Sequence, residues 1–139
     1  MGFKERFKEA SYQGLNTVAE SFQNSIQNTL DNQNIEKFAE LCMMNLLEAG
    51  IERRKAVKLM EKRWNLNRFY LIELGKRVEQ IVLPTQLLGE YMEEEGYTSD
   101  EIFSIIREVD LENYLANRTV PKKFSAEQLY NELKKKFNF

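Results

Sequence analysis

The chain has 139 residues, 42% hydrophobic and 30% charged, with a net charge of −2, a globular composition of one domain's length and not that of a disordered chain. It contains no His, which removes the commonest general base near neutral pH and the commonest transition-metal ligand. One Cys forbids an internal disulfide, and six Gly with two Pro leave little material for the turns of an all-β fold.

From Gly2 to about Asn32, Phe3, Phe7, Leu15, Val18, Phe22, Ile26 and Leu30 recur mostly at steps of three or four. That spacing predicts one long amphipathic helix, either packed in its own bundle or free for association. Ile35 to Ala49, "IEKFAELCMMNLLEA", is apolar nearly all round, as suits a helix at the centre of a bundle. Cys42 within it reads as a small buried hydrophobe in a reducing compartment. Gly50 suits the left-handed residue after that helix, with Ile51 folding back on it.

In the next segment Val57, Met60 and Trp64 share one helical arc, and Lys55, Lys58 and Lys62 share the opposite one. Asn65 or Asn67 closes this helix or caps the next, which runs from about Arg68 to Val82 with Tyr70, Leu71, Leu74, Val78, Ile81 and Val82 inward. Leu83 precedes Pro84, so a break is expected there, with Pro84 opening a helix through Leu87, Leu88, Tyr91 and Met92. "YTSDEI" and "FSAEQL" each combine a capping box with a hydrophobic staple and start helices at Ser99 and Ala126. The first runs through Ile102, Ile105, Ile106 and Val109, followed by a short helix around Leu111 to Ala116; the second carries Leu129, Leu133 and Phe137. No segment alternates as a strand would. The expectation is a single all-α domain of five to seven helices, with a long helix over 1–32 and a helical core over 33–139.

Charge is divided along the chain. Residues 52–77 hold nine basic residues against three acids, a net of +6, and residues 78–112 hold ten acids against Arg107 alone, a net of −9. From 113 onward the balance is +4. The blocks either make separate charged surfaces, pair with one another, or face water.

The basic stretch invites a helix-turn-helix reading, with the turn at "WNLN". Trp64, Leu66, Leu71 and Leu74 are acceptable inward residues, but the close-contact position falls on Glu61, where a small residue is wanted. In this reading Arg53, Arg54, Lys55, Lys58 and Lys62 hold phosphates, and Asn67 and Arg68 read bases. Phe69 and Ile72 fall outside the apolar arc of their helix, and such an exposed pair suits a protein interface as well as a nucleic-acid one. Glu93, Glu94 and Glu95 are the corresponding candidates in the acidic block, where they would meet a basic groove.

Without His there is no Ser-His-Asp or Cys-His arrangement and no Glu-x-x-His metal motif. Gly75-Lys76 and Gly14-Leu15 have no companion glycines for a phosphate loop. No run reaches the roughly 18 apolar residues of a membrane span, and the N-terminal residues lack the apolar core of a secretory signal. The sequence therefore favours a small, cytoplasmic, non-enzymatic interaction or regulatory protein with no cofactor, acting on a protein partner. The alternative is a DNA-binding regulator using 52–77, dimeric through the long first helix.

Overall fold

The computed structural model describes residues 2–12, 32–119 and 123–139, and every regular element among them is helical. The all-α expectation therefore stands. The single long helix expected over 2–32 falls mostly on residues outside the described ones; its described part is α1, Phe3–Tyr12. The chain divides into two compact units, Lys8–Glu79 and Met1–Phe7 with Gln80–Phe139.

The first unit packs α2 (Asn32–Glu48), α3 (Arg53–Trp64) and α4 (Arg68–Arg77) against one another. Ala39, Met43 and Met44 of α2, Ala56 and Met60 of α3, and Leu71 of α4 have no solvent exposure. The α2 stop follows from Gly50, at φ 90°, a backbone state that costs glycine little and other residues more. Its N–H donates to Leu47 O, and Ile51 N–H donates back to Leu46 O, each at 3.0 Å, so the last carbonyls of α2 are satisfied. Cys42 is only half-buried, but burial still pushes its thiol up to about 11, which leaves it a neutral, unreactive thiol at pH 7.

The second unit contains α5 (Leu83–Glu94), α6 (Ser99–Glu108), α7 (Leu111–Ala116) and α8 (Ala126–Phe137). α5 packs on α6 and α8, around a cluster that includes Leu88, Met92, Ile102, Leu111, Leu129 and Leu133. Phe3, at the start of α1, is fully buried in the same cluster, worth roughly 1.5–3 kcal/mol by the usual transfer scale. Phe137, expected on the inner stripe of α8, is 38% exposed.

The break expected at Leu83 does not occur. No residue from Arg68 to Glu94 leaves helical geometry; a π-helical turn at Val78–Val82 intervenes before α5. Pro84 removes one intrahelical N–H and its ring needs room against the preceding turn. A widened π turn supplies such room. Thr85 Oγ1 then donates to Ile81 O at 2.7 Å, occupying a carbonyl of that turn.

The two start signals differ in completeness. At α6, Glu101 N–H donates to Thr98 Oγ1 at 3.2 Å and Thr98 N–H donates to Glu101 Oε1 at 3.0 Å. At α8 only one half forms, Gln128 N–H to Ser125 Oγ at 3.2 Å. Thr98→Ala is expected to cost about 1 kcal/mol in chemical denaturation, and a loss below about 0.3 kcal/mol would show that Tyr97 packing alone starts α6.

Candidate macromolecule-binding surface

α3 buries Ala56, Val57 and Met60 and turns its other side to water. Arg54, Lys55, Lys58, Lys62 and Arg63 are all exposed on it, and none makes an ion pair among the described residues. Arg54, Lys58 and Lys62 follow one another at intervals of four, where like charges repel along a helix surface. The first turn of α3 also holds three cations and no acid, and its N-cap Glu52 makes no side-chain cap. Positive charge at a helix N-terminus opposes the macrodipole. Lys62 and Arg63 in the last turn are placed favourably, so the unfavourable charge is concentrated at the start of the helix.

Leu59, which sequence reasoning left unmarked, is 49% exposed. Helical spacing places it beside Lys55, Lys62 and Arg63. The signal was available, since Leu59 falls outside the arc of Val57, Met60 and Trp64.

Between the helices, Asn65 adopts the left-handed conformation (φ 52°, ψ 41°) and donates its N–H to Glu61 O at 2.8 Å. Asn serves where helix-turn-helix pairs often carry Gly, as its short polar side chain tolerates that region. Asn67 caps α4: its Oδ1 accepts from Tyr70 N–H at 3.1 Å. Arg68 Nε donates to Glu61 Oε2 at 2.9 Å. The Glu61 mismatch is thereby accommodated: its side chain is 32% exposed and engages Arg68, and the buried small residues of the pair are Ala56 and Gly75. Inside, Trp64 meets Phe38 edge-on at 5.3 Å. Tyr70 is pushed up to about 12, first by burial and then by the Glu36 and Glu40 carboxylates, so it stays a neutral phenol.

The residues expected to read or hold nucleic acid thus fall into two groups. Arg54, Lys55, Lys58 and Lys62 are exposed and free of ion pairs among the described residues. Arg53 pairs with Glu79 at 3.5 Å, Arg68 pairs with Glu61, and Asn67 is committed to its cap. Both would-be base readers are internally engaged. Beside them Phe69, the second residue of α4, is 79% exposed, and Ile72, one turn on, is half-buried.

The acidic candidates do not act as a set. Glu93 Oε2 accepts the backbone N–H of Phe3 at 2.7 Å, so it holds the start of α1 and is not a free surface carboxylate. Glu95 takes a hydrogen bond from the Tyr91 hydroxyl, and Glu94 is exposed without an ion pair among the described residues. A Glu93 reversal would therefore disturb the fold as well as any partner contact.

A cavity of about 450 Å³ in the second unit is lined in part by Tyr114, Arg118, Glu132 and Lys136. Arg118 donates two hydrogen bonds to Glu132, at 3.1 and 3.0 Å, and the Tyr114 hydroxyl donates to the same carboxylate. Lys136 Nζ lies 5.0 Å from the Tyr114 ring centroid. The Arg118 guanidinium holds the Glu132 carboxyl below its usual range, helped by Tyr114 and opposed by burial. Burial and this hydrogen bond push Tyr114 up to about 12. Arg118 and Glu132 offset each other's charge and Tyr114 is bonded to the same carboxylate, so these three read as a clasp between the end of α7 and α8.

Glu132→Gln leaves Arg118, with 17% side-chain exposure, short of its counter-charge. The expected cost near pH 7 is about 1 kcal/mol, kept small because Glu132 is 39% exposed and screened. Because the folded carboxyl titrates below its unfolded value, the contribution is complete above about pH 5.5 and vanishes as pH falls through the folded pKa. The wild-type and Glu132→Gln stabilities should therefore converge in acid; a gap independent of pH would contradict the clasp.

Among the described residues no group of three His, Cys, Asp or Glu side chains could hold a metal ion, and no helix is long and apolar enough to cross a membrane. Compared with protein-family models, curated proteins and solved structures, the chain matches none.

Proposed function

We propose that the chain is a small non-enzymatic interaction protein that binds another protein through the α3–turn–α4 pair. Phe69 serves as the apolar anchor, and the cations of α3 supply long-range attraction. The observation that carries this reading is Phe69, 79% exposed at the start of α4. Aromatic residues and Arg are enriched at protein interfaces, whereas Lys is depleted there, so the lysines of α3 serve attraction and not close contact. DNA reading is the weaker use of the same pair, because Asn67 caps α4 and Arg68 pairs with Glu61, which occupies both residues suited to base edges.

The test pairs two experiments on wild type and Phe69→Ser. In affinity capture from the native host, wild type should retain a discrete protein that Phe69→Ser loses. In fluorescence anisotropy with mixed-sequence duplex DNA, any binding should be weak, equal for both proteins, and removed by salt. Tight DNA binding that depends on sequence would overturn the reading in favour of a DNA-binding regulator.

A further inference from the structure

Residues 3–7, part of the second unit, lie against its α5 and α6 as a peptide lies in a groove. The floor of that groove is Gly89: a Cβ placed there would stand 1.9 Å from the Phe3 ring, so only glycine admits the phenyl group. Phe3 stacks on Phe7 at 5.5 Å between centroids and meets Phe103 of α6 at 5.1 Å. The two rings, four residues apart, form one apolar edge of a short helix.

Acids of α5 and α6 form the rim. Glu93 caps the peptide-like helix at Phe3 N–H, 2.7 Å away. Glu90 pairs with Lys4 at 3.9 Å, and Asp100 pairs with Arg6 at 3.0 Å. The Arg6 guanidinium also lies 5.5 Å from the Phe103 ring centroid. The features that make a helix-in-groove contact are all present: aromatic anchors at i and i+4, cations between them, and complementary carboxylates on the receiving surface. Only Phe3 of this segment is fully buried; the Lys4–Glu90 pair is about one-third exposed and the Arg6–Asp100 pair more so, and pairs open to solvent hold weakly.

We propose that this groove is a docking site for a helical segment of another protein with the pattern aromatic, basic, any, basic, aromatic. Residues 3–7, "FKERF", are its internal occupant and compete with that partner. The acidic block thereby acquires a part in recognition, in which Glu90, Glu93 and Asp100 select the cations and the helix start and Gly89 selects the ring.

The probe is a fluorescein-labelled peptide with the sequence of residues 2–12, titrated into the full chain. Wild type should bind it weakly, because the tethered copy has the higher effective concentration. Phe3→Ser and, separately, Arg6→Glu in the full chain should each bind it saturably and at least about tenfold more tightly than wild type. Adding Gly89→Leu to Phe3→Ser should abolish binding, as should replacing both phenylalanines of the peptide by serine. If both variants keep their helical circular dichroism and neither binds the peptide, residues 3–7 are fixed core and the proposal fails. Loss of helical signal in both variants overturns it too, since the groove then does not exist without its occupant. A wild-type dimer that Phe3→Ser converts to monomer would identify the occupant as a second copy of this chain and overturn the proposal of a separate partner.

Discussion

Leu71→Ala is expected to destabilise the first unit by about 2–5 kcal/mol. Leu71 has no solvent exposure and is the fully buried side chain that α4 contributes to its packing with α2 and α3. Truncation removes its transfer free energy and leaves a void in the core of the unit; that core also holds the buried Met43, Met44 and Met60, whose adaptability argues for the lower half of the range. Trp64 is a built-in reporter, because its ring packs edge-on against Phe38 of the same unit. Urea unfolding followed by Trp64 fluorescence should show the full loss for Leu71→Ala. Phe69→Ala, two positions earlier, should fall within about 0.5 kcal/mol of wild type. A comparable loss at Phe69 would mean that its ring is structural and would remove the proposed anchor.

The second large effect concerns binding. Phe69→Ala should weaken partner association at least about thirtyfold, equivalent to roughly 2 kcal/mol. Reversal of Arg54, Lys58 and Lys62 to Glu should act differently. The triple variant should slow association and flatten its salt dependence, because exposed cations steer encounter more than they hold the complex. It should change stability little, since like charges at intervals of four are exchanged for like charges of the other sign and the three residues make no ion pairs among the described residues. Kinetics by surface plasmon resonance separate the two contributions: dissociation changes for Phe69, association for the cations. Equal effects of both variants on dissociation alone would contradict this division.

Much of the local architecture was legible from sequence because it rests on short-range chemistry. The Thr98/Glu101 box, the Gly50 stop and the Leu71, Leu88, Ile102 and Leu133 stripes need only helical spacing and cap preferences. Pro84 misled because the rule for the preceding residue is local, whereas a π turn with the Thr85 hydroxyl on Ile81 O relieves the conflict within the helix. Glu93 was read as surface because its partner, the Phe3 N–H, lies 90 residues away in sequence. Gly89 was likewise silent until Phe3 stood over it.

The candidate surface divides in the same way. Exposure of Phe69 and of the α3 cations followed from the helical wheel. The engagement of Asn67 and Arg68 depends on how the turn folds, which spacing does not encode. In the proposed function that engagement is what weighs against base reading by Asn67 and Arg68.

The most direct test places a photo-crosslinking amino acid at position 69 of the full chain and illuminates it in its native host. A protein partner anchored by Phe69 predicts one discrete covalent adduct that is sensitive to protease and resistant to nuclease, absent when the crosslinker stands at exposed Asn131 of α8. A nuclease-sensitive adduct, or the same pattern from both positions, would contradict the claim that Phe69 anchors a protein partner.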